Sequence, residues 1–118
     1  IRKSLNGHFE AEGRVNGEPV DFLIDTGATA IALSHDDAMR IGFTEADLSY
    51  TLVISTANGQ GRAAAVRLDS VDIGSIGRTG LRAMVAEPGQ LDQSLLGMNF
   101  ISSLKAFEMR RDEVILRD

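Results

Sequence analysis

A chain of 118 residues, 43% hydrophobic and 25% charged, has the make-up of one ordinary globular domain, residues 1–118, with a modest core of its own. A net charge of −5, with no basic run longer than Arg110-Arg111, argues against nucleic acid or an anionic membrane surface as partner. The absence of cysteine removes disulfides, thiolate metal sites and thiol nucleophiles, and two histidines, His8 and His35, are too few to suggest a metal centre.

No apolar run approaches the ~20 residues of a membrane helix, and no signal peptide is visible. Beginning at Ile1 without a methionine, the chain reads as a domain excised from a longer polypeptide. Residues 8–15 alternate loosely and precede Asn16-Gly17, a dipeptide that tolerates the positive φ of a tight hairpin. The predicted return strand, 19–24, places Val20, Phe22 and Ile24 on one face and runs straight into Asp25-Thr26-Gly27. A short strand is expected at 31–34. A helix follows: Ser34 suits its N-cap, Asp36 and Asp37 its positive end, and Gly42 its termination, with Ala38 and Ile41 or Met39 buried.

Residues 50–56 read as a strand, 57–61 as a turn and 62–73 as a long return strand. A further strand is predicted over 79–85, then a polar loop over 87–93. Leu95-Leu96-Gly97 leads into a short helix over 98–104, and a hairpin of 107–109 with 114–116 closes the chain. Many short strands punctuated by turns predict an all-β closed barrel or sandwich carrying one or two short helices.

The chemistry centres on Asp25. An isolated Asp-Thr-Gly is most simply an Asx-turn, its carboxylate bonded to nearby amides. Here, however, the aspartate follows the apolar run Phe22-Leu23-Ile24, which is expected to carry its carboxylate inward, where an unpaired charge is costly. The next residues, Thr26, Gly27, Ala28 and Thr29, are small enough for close backbone approach. Far downstream, Leu95-Leu96-Gly97 supplies a second apolar-apolar-Gly element.

These features, in this order, resemble the retropepsin-like aspartic proteases, whose Asp-Thr/Ser-Gly loop is backed by a later apolar-apolar-Gly segment. The set VNG, FLIDTGAT, TANG and SLLGMNF is similar to the bacterial, often membrane-anchored branch rather than to the retroviral enzymes. The resemblance implies the retropepsin fold and an aspartic endopeptidase acting on polypeptides, with no cofactor and no metal. It makes Asp25 the catalytic carboxylate and gives Thr26, Gly27 and Ala28 to dyad support and substrate binding. It places the flap at Asn58, Gly59, Gln60 and Gly61, although the paired glycines and isoleucine of the retroviral flap are not reproduced: Gln60 separates the glycines and Arg62 follows. Arg62 is read as solvating the hairpin, and Asn99 as a structural support of the active-site loop.

Only one Asp-Thr/Ser-Gly is present. Asp69-Ser70-Val71 and Asp72-Ile73-Gly74 lack its order and its preceding apolar strand. A dyad therefore requires a homodimer in which each chain contributes Asp25. The competing expectation is a dimeric binding or assembly module of the same fold with weak or no proteolysis. The resemblance further implies a periplasmic or other extracytoplasmic location, held by a membrane anchor outside this chain.

Overall fold

The computed structural model of the chain describes residues 9–56 and 59–118. Among the described residues, nine strands and two short α-helices follow in the order β1 (Glu10–Val15), β2 (Glu18–Ile24), β3 (Ile31–Leu33), α1 (His35–Ile41), β4 (Leu52–Thr56), β5 (Gly59–Ile73), β6 (Ile76–Ala86), β7 (Ser94–Leu96), α2 (Met98–Ile101), β8 (Ala106–Met109) and β9 (Val114–Arg117). The all-β expectation holds.

Six strands close into a barrel in the order β1-β2-β7-β3-β6-β5, and β5 pairs back to β1 to complete the ring. β4 stands outside the ring, paired with the first part of β5, Leu52↔Ala63 to Thr56↔Gly59. The ring is mixed: β2–β7 and β3–β6 run parallel, while β3 meets β7 antiparallel. β8 and β9 form a separate two-stranded sheet. Alternation in β2 buries Val20, Phe22 and Ile24 as the sequence predicts. They join Val15, Ile31, Leu33, Leu68, Val71, Val85, Leu96 and Phe100 in one core.

The tight hairpin at Asn16-Gly17 is present, with φ of 52° and 86°. Helix α1 is capped as read: the Ser34 hydroxyl accepts from the Asp37 N–H at 3.2 Å, and Gly42 terminates the helix at φ 125°.

Several details differ from the sequence reading. Gly59, Gln60 and Gly61 are strand rather than turn, since β5 begins at Gly59 and pairs with β4 from its first residue. β6 starts at Ile76 rather than 79, because Gly74, at φ 60°, allows a tight turn that pairs Ile73 with Ile76. α2 ends at Ile101, short of the predicted 104. A single 3-10 turn at Glu45–Asp47, absent from the sequence reading, is held by Thr44 and Asp47. His8, the expected start of the first strand, and Asn58 lie outside the described residues.

Candidate active site

Asp25 follows the last residue of β2, and its backbone N–H donates to the Leu96 carbonyl of β7 at 3.1 Å. This extends the parallel β2–β7 pairing by one step and sets the origin of the loop. Two residues on, the Gly27 N–H donates to Asp25 Oδ1 at 2.9 Å, and the Ala28 N–H donates to the Asp25 carbonyl at 3.1 Å. The carboxylate is therefore oriented by its own loop, in the Asx-turn geometry the sequence alone suggested.

The far side of the loop is fixed from α2. Met98 N–H donates to the Ala28 carbonyl at 2.8 Å, and Asn99 N–H to the Thr29 carbonyl at 3.1 Å. The Asn99 side chain adds two bonds: its Oδ1 accepts from the Ile31 N–H at 3.0 Å, and its Nδ2 donates to the Arg82 carbonyl at 2.7 Å. Asn99 thus ties the Asp25 loop to β6, in the structural role read for it. Gly97 is required for this crossing, since a Cβ there would collide with the Ala30 backbone.

The apolar strand delivers Asp25 only to the barrel's margin. Asp25 is half-buried, and Thr26 and Gly27 are exposed. The expected inward burial of the carboxylate is not reached in the single chain, because β2 ends just where the carboxylate begins. Asp25, Thr26, Gly27 and Ala28 do share one loop, as anticipated.

Gly59, Gln60 and Gly61 belong to a different element, the β4–β5 hairpin. The Asp25 loop is tied to β7 and α2, whereas the root of the hairpin is tied to Glu87: Glu87 N–H donates to the Arg62 carbonyl and Arg62 N–H donates to Glu87 Oε1, both at 3.1 Å. Gly61 is also packed under constraint, since a Cβ there would strike the Gln90 side chain. Glu87 and Gln90 fall in what the sequence presents as a plain polar loop. Their contacts are long-range, and no local pattern announces them.

A second polar group lies behind β7. Ser94, fully buried, accepts the Ser34 N–H at 3.0 Å and donates to Asp37 Oδ2 at 2.6 Å. Arg40 Nη2 donates to Asp37 Oδ1 at 2.8 Å. Burial pushes the Asp37 carboxyl up, but bonds from Ser94, Arg40 and Ser34, with the Arg40 charge, outweigh it and hold the group below its ordinary value. Asp37, Arg40, Pro19, Asp21, Asp92 and Gln93 also bound a surface hollow of about 510 Å³ that Asp25 does not line. Among the described residues no group of histidine or acidic side chains is placed to hold a metal ion, and no helix is long and apolar enough to cross a membrane.

The family described as gag-polyprotein putative aspartyl protease matches residues 11–103. A Sinorhizobium sp. relative, named an uncharacterized protein in the cobV 5′ region, is 48% identical over 118 residues, covering 100% of this chain and 51% of its own length. Another, the uncharacterized protein RP867 of Rickettsia prowazekii (strain Madrid E), is 40% identical over 121 residues, covering 98% of this chain and 49% of its own. The chain spans about half the length of the curated relatives it matches. Among solved structures, a retropepsin-like aspartic protease from Rickettsia conorii superposes with a TM-score of 0.88 at 39% identity, covering 98% of this chain and 86% of the other. The EIAV protease complexed with the inhibitor HBY-793 superposes with a TM-score of 0.72 over 93% of this chain and 100% of the other; at 17% identity it speaks for the fold alone.

Proposed function

The chain belongs to the retropepsin-like aspartic proteases, and from that premise we propose that it is one half of an aspartic endopeptidase whose site is completed by a second copy. The observation that carries this reading is the half-buried Asp25 on a loop braced from β7 and α2, with Thr26 and Gly27 exposed beside it. A rigidly held loop of small residues, uncovered in the single chain, suits close approach by its own copy across a two-fold axis. Thr26 would brace the two loops across that axis, and Gly27 and Ala28 would border the peptide.

In the paired site one carboxylate is ionised and its partner carries the shared proton. The ionised group takes a proton from a water molecule while the water oxygen bonds to the scissile carbonyl carbon. The protonated partner gives its proton to the carbonyl oxygen, producing a tetrahedral diol. Collapse of the diol re-forms the carbonyl and breaks the C–N bond, with a proton passing to the departing nitrogen. Water is the nucleophile, so no acyl-enzyme forms and no metal or cofactor is called for. Because one proton must be held between the two groups, activity should peak at acidic to near-neutral pH and fall on both sides.

The β4–β5 hairpin is the flap in this reading, with Gly59, Gln60 and Gly61 at its described end. The domain itself is placed outside the cytoplasm, on an anchor elsewhere in a longer polypeptide. The family resemblance alone supports that placement, and fractionation of cells making the native protein tests it.

The decisive experiment compares the parent with Asp25→Asn on a mixed-sequence peptide library at mildly acidic pH. Loss of about 10²–10⁴-fold in rate is expected, the scale of general acid–base catalysis, with the fold unchanged by circular dichroism. Equal cleavage by both chains would end the assignment of Asp25. No cleavage by either would favour the binding-module alternative.

A further inference from the structure

We infer that Glu87 is a positioning residue that sets the stance of the β4–β5 hairpin toward a bound peptide, an inference that rests on reading that hairpin as the flap. The β5–β6 ladder runs from Ile73↔Ile76 to Ala63↔Ala86, and the next opposing residues in the same register are Arg62 and Glu87. In an antiparallel ladder opposing residues alternate between pairs that exchange both N–H···O=C bonds and pairs that exchange neither, and the bond from the Glu87 N–H to the Arg62 carbonyl marks this pair as the first kind.

Here only half of that exchange is made by backbone. The Glu87 N–H donates to the Arg62 carbonyl, but the Glu87 carbonyl has turned away to accept the Gln90 N–H at 3.1 Å. Its side chain takes the vacated role: Oε1 accepts the Arg62 N–H at 3.1 Å. A carboxylate thus replaces a carbonyl at the last rung before the hairpin leaves the barrel, and a charged acceptor makes the stronger bond.

The same turn grips the neighbouring residue. Gln90 packs against Gly61 so closely that no Cβ fits between them. On the β4 side, Tyr50 O–H donates to Glu45 Oε2 at 3.3 Å. The Tyr50 hydroxyl is held above its ordinary range by burial first, then by Glu45, with a contribution from the charge of Glu87. Glu87 itself holds the β5 root of the hairpin, through its two bonds to Arg62. The loop it begins leads directly into β7, whose Leu96 carbonyl anchors Asp25. One short segment, residues 87–93, thus joins the residue that holds the hairpin to the strand that anchors Asp25.

The test uses the full chain as parent, Glu87→Gln and Glu87→Ala, with amide hydrogen exchange at Arg62 and steady-state cleavage of a peptide selected with the parent. In Glu87→Ala the Arg62 amide should exchange about tenfold faster, the loss of one charge-assisted hydrogen bond, while amides of β1 and β2 keep their rates. Glu87→Gln retains an acceptor oxygen and should fall between the two. KM should rise several-fold in Glu87→Ala with kcat changed less than about twofold, the mark of lost peptide binding rather than lost chemistry.

Unchanged exchange at Arg62, or a uniform acceleration through β1 and β2, would overturn the local hold assigned to Glu87. Faster Arg62 exchange with an unchanged KM would overturn its role toward the peptide. If the parent cleaves nothing, the peptide role falls with the enzyme reading, while the exchange pattern still decides whether Glu87 holds the hairpin.

Discussion

At the scale of single residues, Asp25 and Asp37 differ in how far neighbouring sequence reveals them. The loop geometry of Asp25 is legible because much of its context is local: an apolar strand before it, small residues after it, and an Asx-turn closed two residues on. What the strand pattern misjudges is depth, since alternation in β2 says which face is inward but not how far the barrel extends past Ile24. Asp37 looks like helix-start decoration in the sequence, and it does lie in the first turn of α1. Its further partner, Ser94, is 57 residues away, so no local signal marks the clamp between α1 and β7. Removing that hydroxyl leaves the Ser34 N–H without this acceptor inside the protein. Ser94→Ala should therefore cost about 1–3 kcal/mol, read as a lower urea midpoint with an unchanged m-value. The acid limb follows from Asp37. Its folded-state pKa lies below the unfolded one, so its contribution is complete above about pH 4 and is lost as the pH falls through the depressed value. The stability gap between parent and Asp37→Asn should accordingly narrow as the pH falls from about 4 through that depressed value. A gap that stays constant across that range would place the stabilisation elsewhere.

At the scale of elements, turn chemistry is the most readable feature, yet its long-range uses are hidden. Asn16-Gly17 announces the β1–β2 hairpin through its tolerance of positive φ. The structure gives Asn16 a second task at the seam that closes the barrel. Its Oδ1 accepts the N–H groups of Asp69 and Ser70, at 2.8 and 3.1 Å, and its own N–H donates to the Ser70 carbonyl at 2.9 Å. Beside it, Gly13 lets β1 lie against β5, since a Cβ there would come within 2.5 Å of Ile73 Cδ1 and 2.7 Å of the Asp72 carbonyl. Two substitutions separate the roles of Asn16. Asn16→Gly keeps the positive φ and loses only the side-chain acceptor; Asn16→Ala loses both. Each should speed amide exchange at Asp69 and Ser70, and Asn16→Ala should be the less stable by about 1 kcal/mol. Equal stability of the two would show that the turn's backbone strain contributes nothing. Residues 59–61 give the complementary case. Gly-Gln-Gly reads as a loop by composition, but pairing of Gly59, Gln60 and Gly61 with Thr56, Ser55 and Ile54 makes them the first residues of β5. Close packing beside Gln90 gives Gly61 a steric reason to be glycine within a strand.

At the scale of the whole molecule, one Asp-Thr-Gly per chain makes activity, on the proposed function, a property of pairing, and pairing can be titrated. Asp25→Asn leaves in place the backbone bonds that hold the loop, namely Asp25 N–H to Leu96, Met98 N–H to Ala28 and Asn99 N–H to Thr29. The substituted amide also retains an oxygen to accept the Gly27 N–H, so the variant should still dimerise. Mixed with an equal amount of parent and allowed to re-equilibrate, it should enter dimers at random. Roughly a quarter of the pairs then hold two intact carboxylates, and activity per parent chain should drop to about half, falling further as the variant is added in excess. A chain that works alone would show no dilution by the variant at any ratio. On the same reading, specific activity should rise with protein concentration until the dimer is saturated, and sedimentation should find the change in mass over the same range. Coincidence of the two curves would tie the chemistry to the assembled pair. Full activity at concentrations where only the single chain sediments would remove the dyad from the mechanism.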